Sequence, residues 1–139
     1  VRVELRNDHG QPLAWAVGGE NVELVVEAVA LQHLSSPIVG FVVKDRLGQT
    51  LFGDNTFLAY EHQPCECKVG QTLCARFQFQ MPRMPVGDYS ITIAVADGTQ
   101  QEHVQHQWIF DAITFRSEST SIAAGLVGIP MAHISMDAR

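Results

Sequence analysis

The chain has 139 residues, 46% hydrophobic, 17% charged and 8% aromatic, and fifteen acidic against nine basic side chains give a formal net charge of −6. That length fits one domain with a sizeable core, and the apolar share argues against intrinsic disorder. The acidic balance lacks the basic stripe that nucleic acid or an anionic membrane surface calls for. No apolar run approaches the ~20 residues of a membrane-spanning helix. No basic n-region followed by an apolar core opens the chain, and Val1 in place of Met points to a piece of a longer protein.

Period-two alternation dominates the pattern. Val22, Leu24, Val26, Ala28 and Ala30 alternate with Asn21, Glu23, Val25 and Glu27, as in a half-buried strand. Ile38 to Asp45 is a β-branched run ending in Lys44-Asp45-Arg46-Leu47-Gly48, which reads as a turn, and the chain returns as Thr50-Leu51-Phe52 to make a hairpin. Cys65, Cys67 and Cys74 are an odd number in a chain too large to need disulfide staples. His62 beside the first two allows a His-Cys-Cys metal cluster to be imagined, against the simpler reading of reduced thiols in a cytosolic loop. Leu73, Ala75, Phe77 and Phe79 then alternate with polar residues, and so do Tyr89, Ile91, Ile93 and Val95.

His103 to Phe115 reads as a long last strand, bent near Asp111-Ala112, where the apolar parity slips by one. Turn chemistry separates the runs at Asp8-His9-Gly10, Gly18-Gly19, Gly53-Asp54-Asn55, Pro82 to Gly87 and Asp97-Gly98. About seven short strands with no long helix predict an all-β fold, an antiparallel immunoglobulin-like β-sandwich. Gly87-Asp88-Tyr89 at a strand start suits a tyrosine corner, which makes Tyr89 structural. The sandwich spans 1–115. Residues 116–139 form a polar hinge, Arg116 to Ser121, and an apolar segment, Ile122 to Met136. That segment either packs on its own domain as an ordinary last strand or is exchanged with a second copy in a dimer.

The enzyme templates fail. No Gly-x-Ser-x-Gly elbow, Walker loop or Gly-x-Gly-x-x-Gly fingerprint occurs. His103 and His106 tempt a cupin-like metal reading, but residues three apart on a regular strand point to opposite faces. Asp45, Asp54, Asp88 and Asp97 sit in turns, where carboxylates cap backbone amides. No cofactor and no catalytic residue is implied.

A binding surface is easier to build. The non-core face of the Tyr89–Val95 strand carries Ser90, Thr92 and Ala94, small residues that leave a trough, and the neighbouring strand offers His103, Gln105 and Gln107. Planar amides beside a trough suit sugar hydroxyls, and an aromatic ring would stack on a pyranose; Trp15, Tyr60 and Trp108 are the candidates. Trp108 also shares parity with Val104 and Phe110, which would place it in the core, and Gln and Thr are ordinary on an exposed sheet.

The stretch Gly40-Phe41-Val42-Val43-Lys44-Asp45-Arg46-Leu47-Gly48-Gln49-Thr50-Leu51-Phe52-Gly53-Asp54-Asn55-Thr56 resembles the C-terminal domain of the ATP-binding subunit of O-antigen polysaccharide ABC transporters, the Wzt C-terminal family. That family has a strand, a Lys-Asp-Arg-x-Gly turn and a Phe-Gly-x-Asn-Thr return. Pro85-Val86-Gly87-Asp88-Tyr89 and the strand ending Trp108 to Phe115 extend the likeness over nearly the whole chain. The resemblance implies a non-catalytic carbohydrate-binding sandwich at the cytoplasmic face of the inner membrane. It would be joined to a nucleotide-binding domain and a transmembrane transporter subunit, read the capped non-reducing end of the glycan, and dimerise through an exchanged C-terminal strand. The expected glycan contacts are Gln105, Gln107 and Thr92, with His103 and Ser90 at the margin and Trp15, Tyr60 or Trp108 stacking. The alternative functions are a dimerisation domain with no glycan ligand and a cupin-like or lyase-like enzyme.

Overall fold

The computed structural model describes residues 1–98, 103–119 and 125–139, with the side chains of 103–106 outside the described set. In chain order the elements are β1 (Arg2–Asn7), β2 (Trp15–Ala16), β3 (Asn21–Val29), β4 (Pro37–Lys44), β5 (Thr50–Asn55), the four-residue helix α1 (Phe57–Tyr60), β6 (Thr72–Gln80), β7 (Gly87–Gly98) and β8 (His103–Ser117). They build two sheets, ordered β1-β3-β6 and β2-β8-β7-β4-β5. Every pairing among them is antiparallel except the short β2–β8 contact.

Alternation decides which face of each strand is covered. Val22, Leu24 and Val26 of β3 with Leu73 and Ala75 of β6 meet Val39, Phe41 and Val43 of β4 and Tyr89, Ile91, Ile93 and Val95 of β7. Leu24, Ile91 and Ile93 are completely buried. Removing such side chains from water contributes about 1.5–3 kcal/mol each, which makes this one core the main force holding the two sheets together. The result is the expected antiparallel β-sandwich. On the outside of the smaller sheet, Glu4 is bonded by Arg2 and Arg6, while Glu23 accepts from Gln78 at 2.8 Å and from Arg76 at 3.3 Å. Val25, between its Cα partners Glu4 and Arg76, is buried within this charged layer although its parity is that of the solvent face.

The hairpin forms where the sequence places it. Asp45 Oδ1 accepts the amides of Leu47 and Gln49, both at 2.9 Å, and Gly48 takes the positive φ of 80° that closes the turn. Gly53-Asp54-Asn55 is not a turn but the end of β5, paired with Val42, Phe41 and Gly40. Gly53 is required there by close approach: an added Cβ would lie 2.2 Å from the carbonyl oxygen of Phe41. The tyrosine corner is present, the Tyr89 hydroxyl donating to Pro85 O at 2.7 Å while its ring stacks on Phe115.

The long last strand is irregular in two places. Between the pairs Ile93↔Ile109 and Ile91↔Ile113, β8 carries three residues where β7 carries only Thr92, and Asp111 has a φ of 50°. Because two residues are inserted, this irregularity at Asp111 keeps the parity instead of flipping it. The one-residue slip lies elsewhere, between Val95↔Gln107 and Ala96↔Gln105, where His106 is extra. Ile109, Ile113 and Phe115 therefore face the core, and Trp108 and Phe110 face out, 51% and 66% exposed. The core placement that Trp108's parity with Val104 suggested is thus overturned by a bulge between them.

Beyond β8, Glu118 N donates to Ala16 O at 2.8 Å, and further along the tail an antiparallel bridge ties it to its own domain, Arg83 and Gly128 exchanging backbone hydrogen bonds of 2.7 and 2.6 Å. Leu126, Ile129, Met131, Ile134 and Met136 remain exposed. Among the described residues no helix is long and apolar enough to cross a membrane.

Candidate functional site

The outer face of the five-stranded sheet holds a groove of about 500 Å³. Its floor includes small side chains or none, Gly40 from β4, Gly53 from β5, Ala94 and Ala96 from β7, with Ile38 and Val42 of β4 on either side of Gly40. Of the trough residues expected from the sequence, Thr92 and Ala94 line this groove and Ser90 does not, and the glycines of the hairpin widen it. One wall is Trp108, the Cα partner of Ala94. The opposite rim, across β4, is Asp54 and Asn55 at the end of β5.

Trp108 does not stand alone. Its ring lies parallel to that of Phe110, 10° between planes and 6.0 Å between centroids, and Lys44 Nζ sits 5.4 Å from the Phe110 centroid. This is an exposed aromatic platform steadied at its far end by a cation. Beyond Phe110 the same sheet face continues into a second, charged depression with Lys44, Arg46, Ser90 and Asp111 in its lining. Arg116, on β8, is tied to Glu118 at 2.6 Å and to Asp88 at 3.3 Å, bonds that raise its pKa and engage both carboxylates.

The residues singled out in the sequence distribute unevenly about this groove. Trp108 lines it directly, and Thr92 is part of its floor, 1% exposed, its Oγ1 accepting the Asp111 amide at 3.3 Å. Ser90 belongs to the charged depression next door. Gln107 is the Cα partner of Val95 and borders a different hollow with Ala28, Leu31 and Leu34, on the other side of the sheet from Trp108. His103 and Gln105 belong to the backbone of β8, and their side chains lie outside the described residues. Trp15 is 66% exposed but pairs with Arg116, eight residues along β8 from Trp108, roughly 20 Å or more away. Tyr60 is half-exposed on α1, just after the Asn55 rim, and does not line the groove.

The sequence reading missed Gly40, Gly53, Asp54, Asn55 and Phe110. A signal was available for four of them: they lie in the hairpin stretch that stands out as a motif, where Gly53-Asp54-Asn55 reads as a turn and Gly40 as part of the strand. Chemically, the groove offers one large π-face, an apolar floor and, across from it, the Asn55 side chain, which shares the outer face as the Cα partner of Gly40 and whose Oδ1 accepts the Phe57 amide at 2.9 Å. Asp54, the Cα partner of core-facing Phe41, contributes backbone to the rim, and its Oδ1 accepts the Asn55 amide at 2.8 Å. It presents no group of three or more His, Cys, Asp or Glu side chains placed to hold a metal among the described residues. Cys67 is buried, whereas Cys65 and His62 are exposed.

Two comparisons with known proteins bear on this fold. The crystal structure described as that of the C-terminal domain of wzt superposes with a TM-score of 0.81, covering 98% of this chain and 82% of that one at 17% identity, a likeness of fold. No curated sequence matches the chain. The sequence model of the Wzt C-terminal domain family matches residues 1–129. A match over nearly the full length, on a sandwich of the same architecture, places the chain in the Wzt C-terminal domain family.

Proposed function

We propose that this domain is a non-catalytic carbohydrate-binding module that reads the capped non-reducing terminus of an O-antigen polysaccharide for export by an ABC transporter. The observation that carries the reading is the exposed Trp108 ring beside a floor of Gly40, Ala94 and Ala96, with Asp54 and Asn55 across the groove. A pyranose is amphipathic in the same way: its C–H face stacks on an aromatic ring while its equatorial hydroxyls reach sideways for donors and acceptors. The small residues of the floor let the ring lie close, and the Asn55 amide group at the rim is the polar partner for a hydroxyl. Family membership supports the association with an O-antigen transporter and its polysaccharide.

In this account Trp108 stacks, Asn55 hydrogen-bonds, and Thr92 forms part of the floor. Gln105 and His103, Cα partners of Ala96 and Gly98, are the further proposed contacts. The nucleotide-binding domain and transmembrane subunit are further partners, and the working place is the cytoplasmic face of the inner membrane. The exposed apolar tail from Leu126 to Met136 favours a homodimer assembled through the C-terminal strand, which would bring two weak sites to bear on neighbouring chains. Calorimetric titration with capped and uncapped O polysaccharide tests the reading. Tighter binding of the capped form, lost in Trp108→Ala, supports it, and equal binding of both forms rejects terminus recognition. A dimer that binds neither would leave the domain with a purely structural, dimerising role.

A further inference from the structure

The irregularity in β8 has a buried lock. Where β8 carries Phe110, Asp111 and Ala112 against Thr92 alone, the Asp111 amide has turned away from the ladder and donates to Thr92 Oγ1 at 3.3 Å. Asp111 is the one residue other than glycine with positive φ among those described, a conformation that Asp tolerates and a β-branched residue does not. Thr92 itself is fully buried, so its hydroxyl is not presented to a ligand in the groove. The three residues that follow from this arrangement are Phe110, immediately before the left-handed Asp111, Trp108, stacked on Phe110, and Lys44, whose Nζ lies 5.4 Å from the Phe110 centroid.

We infer that Thr92 and Asp111 are positioning residues for the glycan groove: the hydroxyl-to-amide bond fixes the bulge, and the bulge fixes the angle at which Phe110 holds Trp108 over the floor. The inference rests on the groove reading above and assigns Thr92 a role through Trp108 in place of direct contact with sugar. A stacking platform must be held in a narrow range of orientations before the ligand arrives, because ordering it during binding costs affinity. Bulges are a recurring device for aiming side chains from a sheet in this way.

The test uses the whole dimer-competent chain and lipid-free O polysaccharide purified from the organism that encodes it. Thr92→Val keeps the shape of the side chain but removes the acceptor. It is expected to lower affinity about tenfold and to shift the Trp108 indole N–H resonance, while Thr92→Ser restores both. Asp111→Gly, which adopts positive φ freely, is expected to bind as the parent does, and Asp111→Val to bind about tenfold more weakly. Should Thr92→Val fail to fold, the Asp111 pair decides the question alone. Parental affinity in folded Thr92→Val or in Asp111→Val would overturn the inference, as would a lower melting temperature with unchanged affinity and indole resonance. Trp108→Ala separates the two claims: if it binds as the parent does, the groove reading falls, and if it loses binding while Thr92→Val does not, only the positioning role falls.

Discussion

Trp108 on β8 lies directly opposite Ala94 on β7, so an exposed indole of the outer sheet face stands beside one of its smallest side chains. That pairing, and the absence of side chains at Gly40 and Gly53 beyond it, turn a flat sheet into a groove. The groove is a product of register: one residue of slip on β8 would put Trp108 into the core and Ile109 on the surface.

Filling the floor should abolish the site without touching the core. Ala94→Leu projects three additional carbon atoms into the space next to Trp108. It is expected to weaken polysaccharide binding by at least tenfold, about 1.4 kcal/mol. Equilibrium denaturation should show a change within about 0.5 kcal/mol, as for a surface substitution. Retained affinity would put the glycan elsewhere.

The Tyr89 corner should matter for stability and not for binding. Tyr89→Phe deletes the hydrogen bond to Pro85 O and leaves that carbonyl without its partner, at a cost of about 1–2 kcal/mol. Urea unfolding measures the loss, and titration should return the parental affinity. Burial, and to a lesser extent the nearby Asp45, raises the Tyr89 pKa above 10.0. The unfolded chain therefore releases this proton first as pH rises, and the corner's contribution falls away in alkali. Tyr89→Phe should remove that part of the alkaline decline.

Acid should loosen the outer layer of the small sheet. Hydrogen bonds from Arg6 and then Arg2 hold the Glu4 carboxyl below its ordinary value of 4.5, and the Gln78 amide, followed by Arg76, does the same for Glu23. A carboxyl depressed in the folded state stabilises the fold above its unfolded pKa, and that contribution disappears as pH falls through the folded value. The melting temperature should hold above about pH 5 and decline below it. Glu4→Gln should flatten the decline, and added salt should shrink it because the pairs are exposed.

Gly53 should not accept even a methyl group. A Cβ 2.2 Å from Phe41 O can be relieved only by moving β5 away from β4. Gly53→Ala is expected to cost about 1–3 kcal/mol, read by thermal or chemical unfolding, and to weaken binding through the displaced Asp54–Asn55 rim. Gly48→Ala, strained only at the exposed hairpin turn, should cost about 1 kcal/mol and leave binding intact.

Most of the scaffold was legible because strand alternation is a local property. The runs at Val22–Val26, Leu73–Phe79 and Tyr89–Val95, the Asp45 turn and the Tyr89 corner each follow from residues a few positions apart. The orientation of Trp108 was not legible, because it depends on an extra residue at His106, and nothing in the Val-Gln-His-Gln sequence around it marks a bulge. At Asp111 the irregularity was visible, yet its size was not: one inserted residue reverses the faces and two restore them. The groove was half legible. Thr92 and Ala94 could be assigned to the open face from β7 alone, whereas Gly40, Gly53, Asp54 and Asn55 join it only through β4–β7 and β4–β5 pairing across the sheet. Gln107 was assigned to the wrong company for the same reason as Trp108.

Isothermal titration of the parent chain and Trp108→Ala with capped and uncapped O polysaccharide tests the central claim most directly. The account predicts that the parent binds the capped form more tightly and that Trp108→Ala, still folded, loses at least tenfold of that affinity, about 1.4 kcal/mol. Equal affinity of the parent for both forms, or undiminished binding by Trp108→Ala, would contradict it.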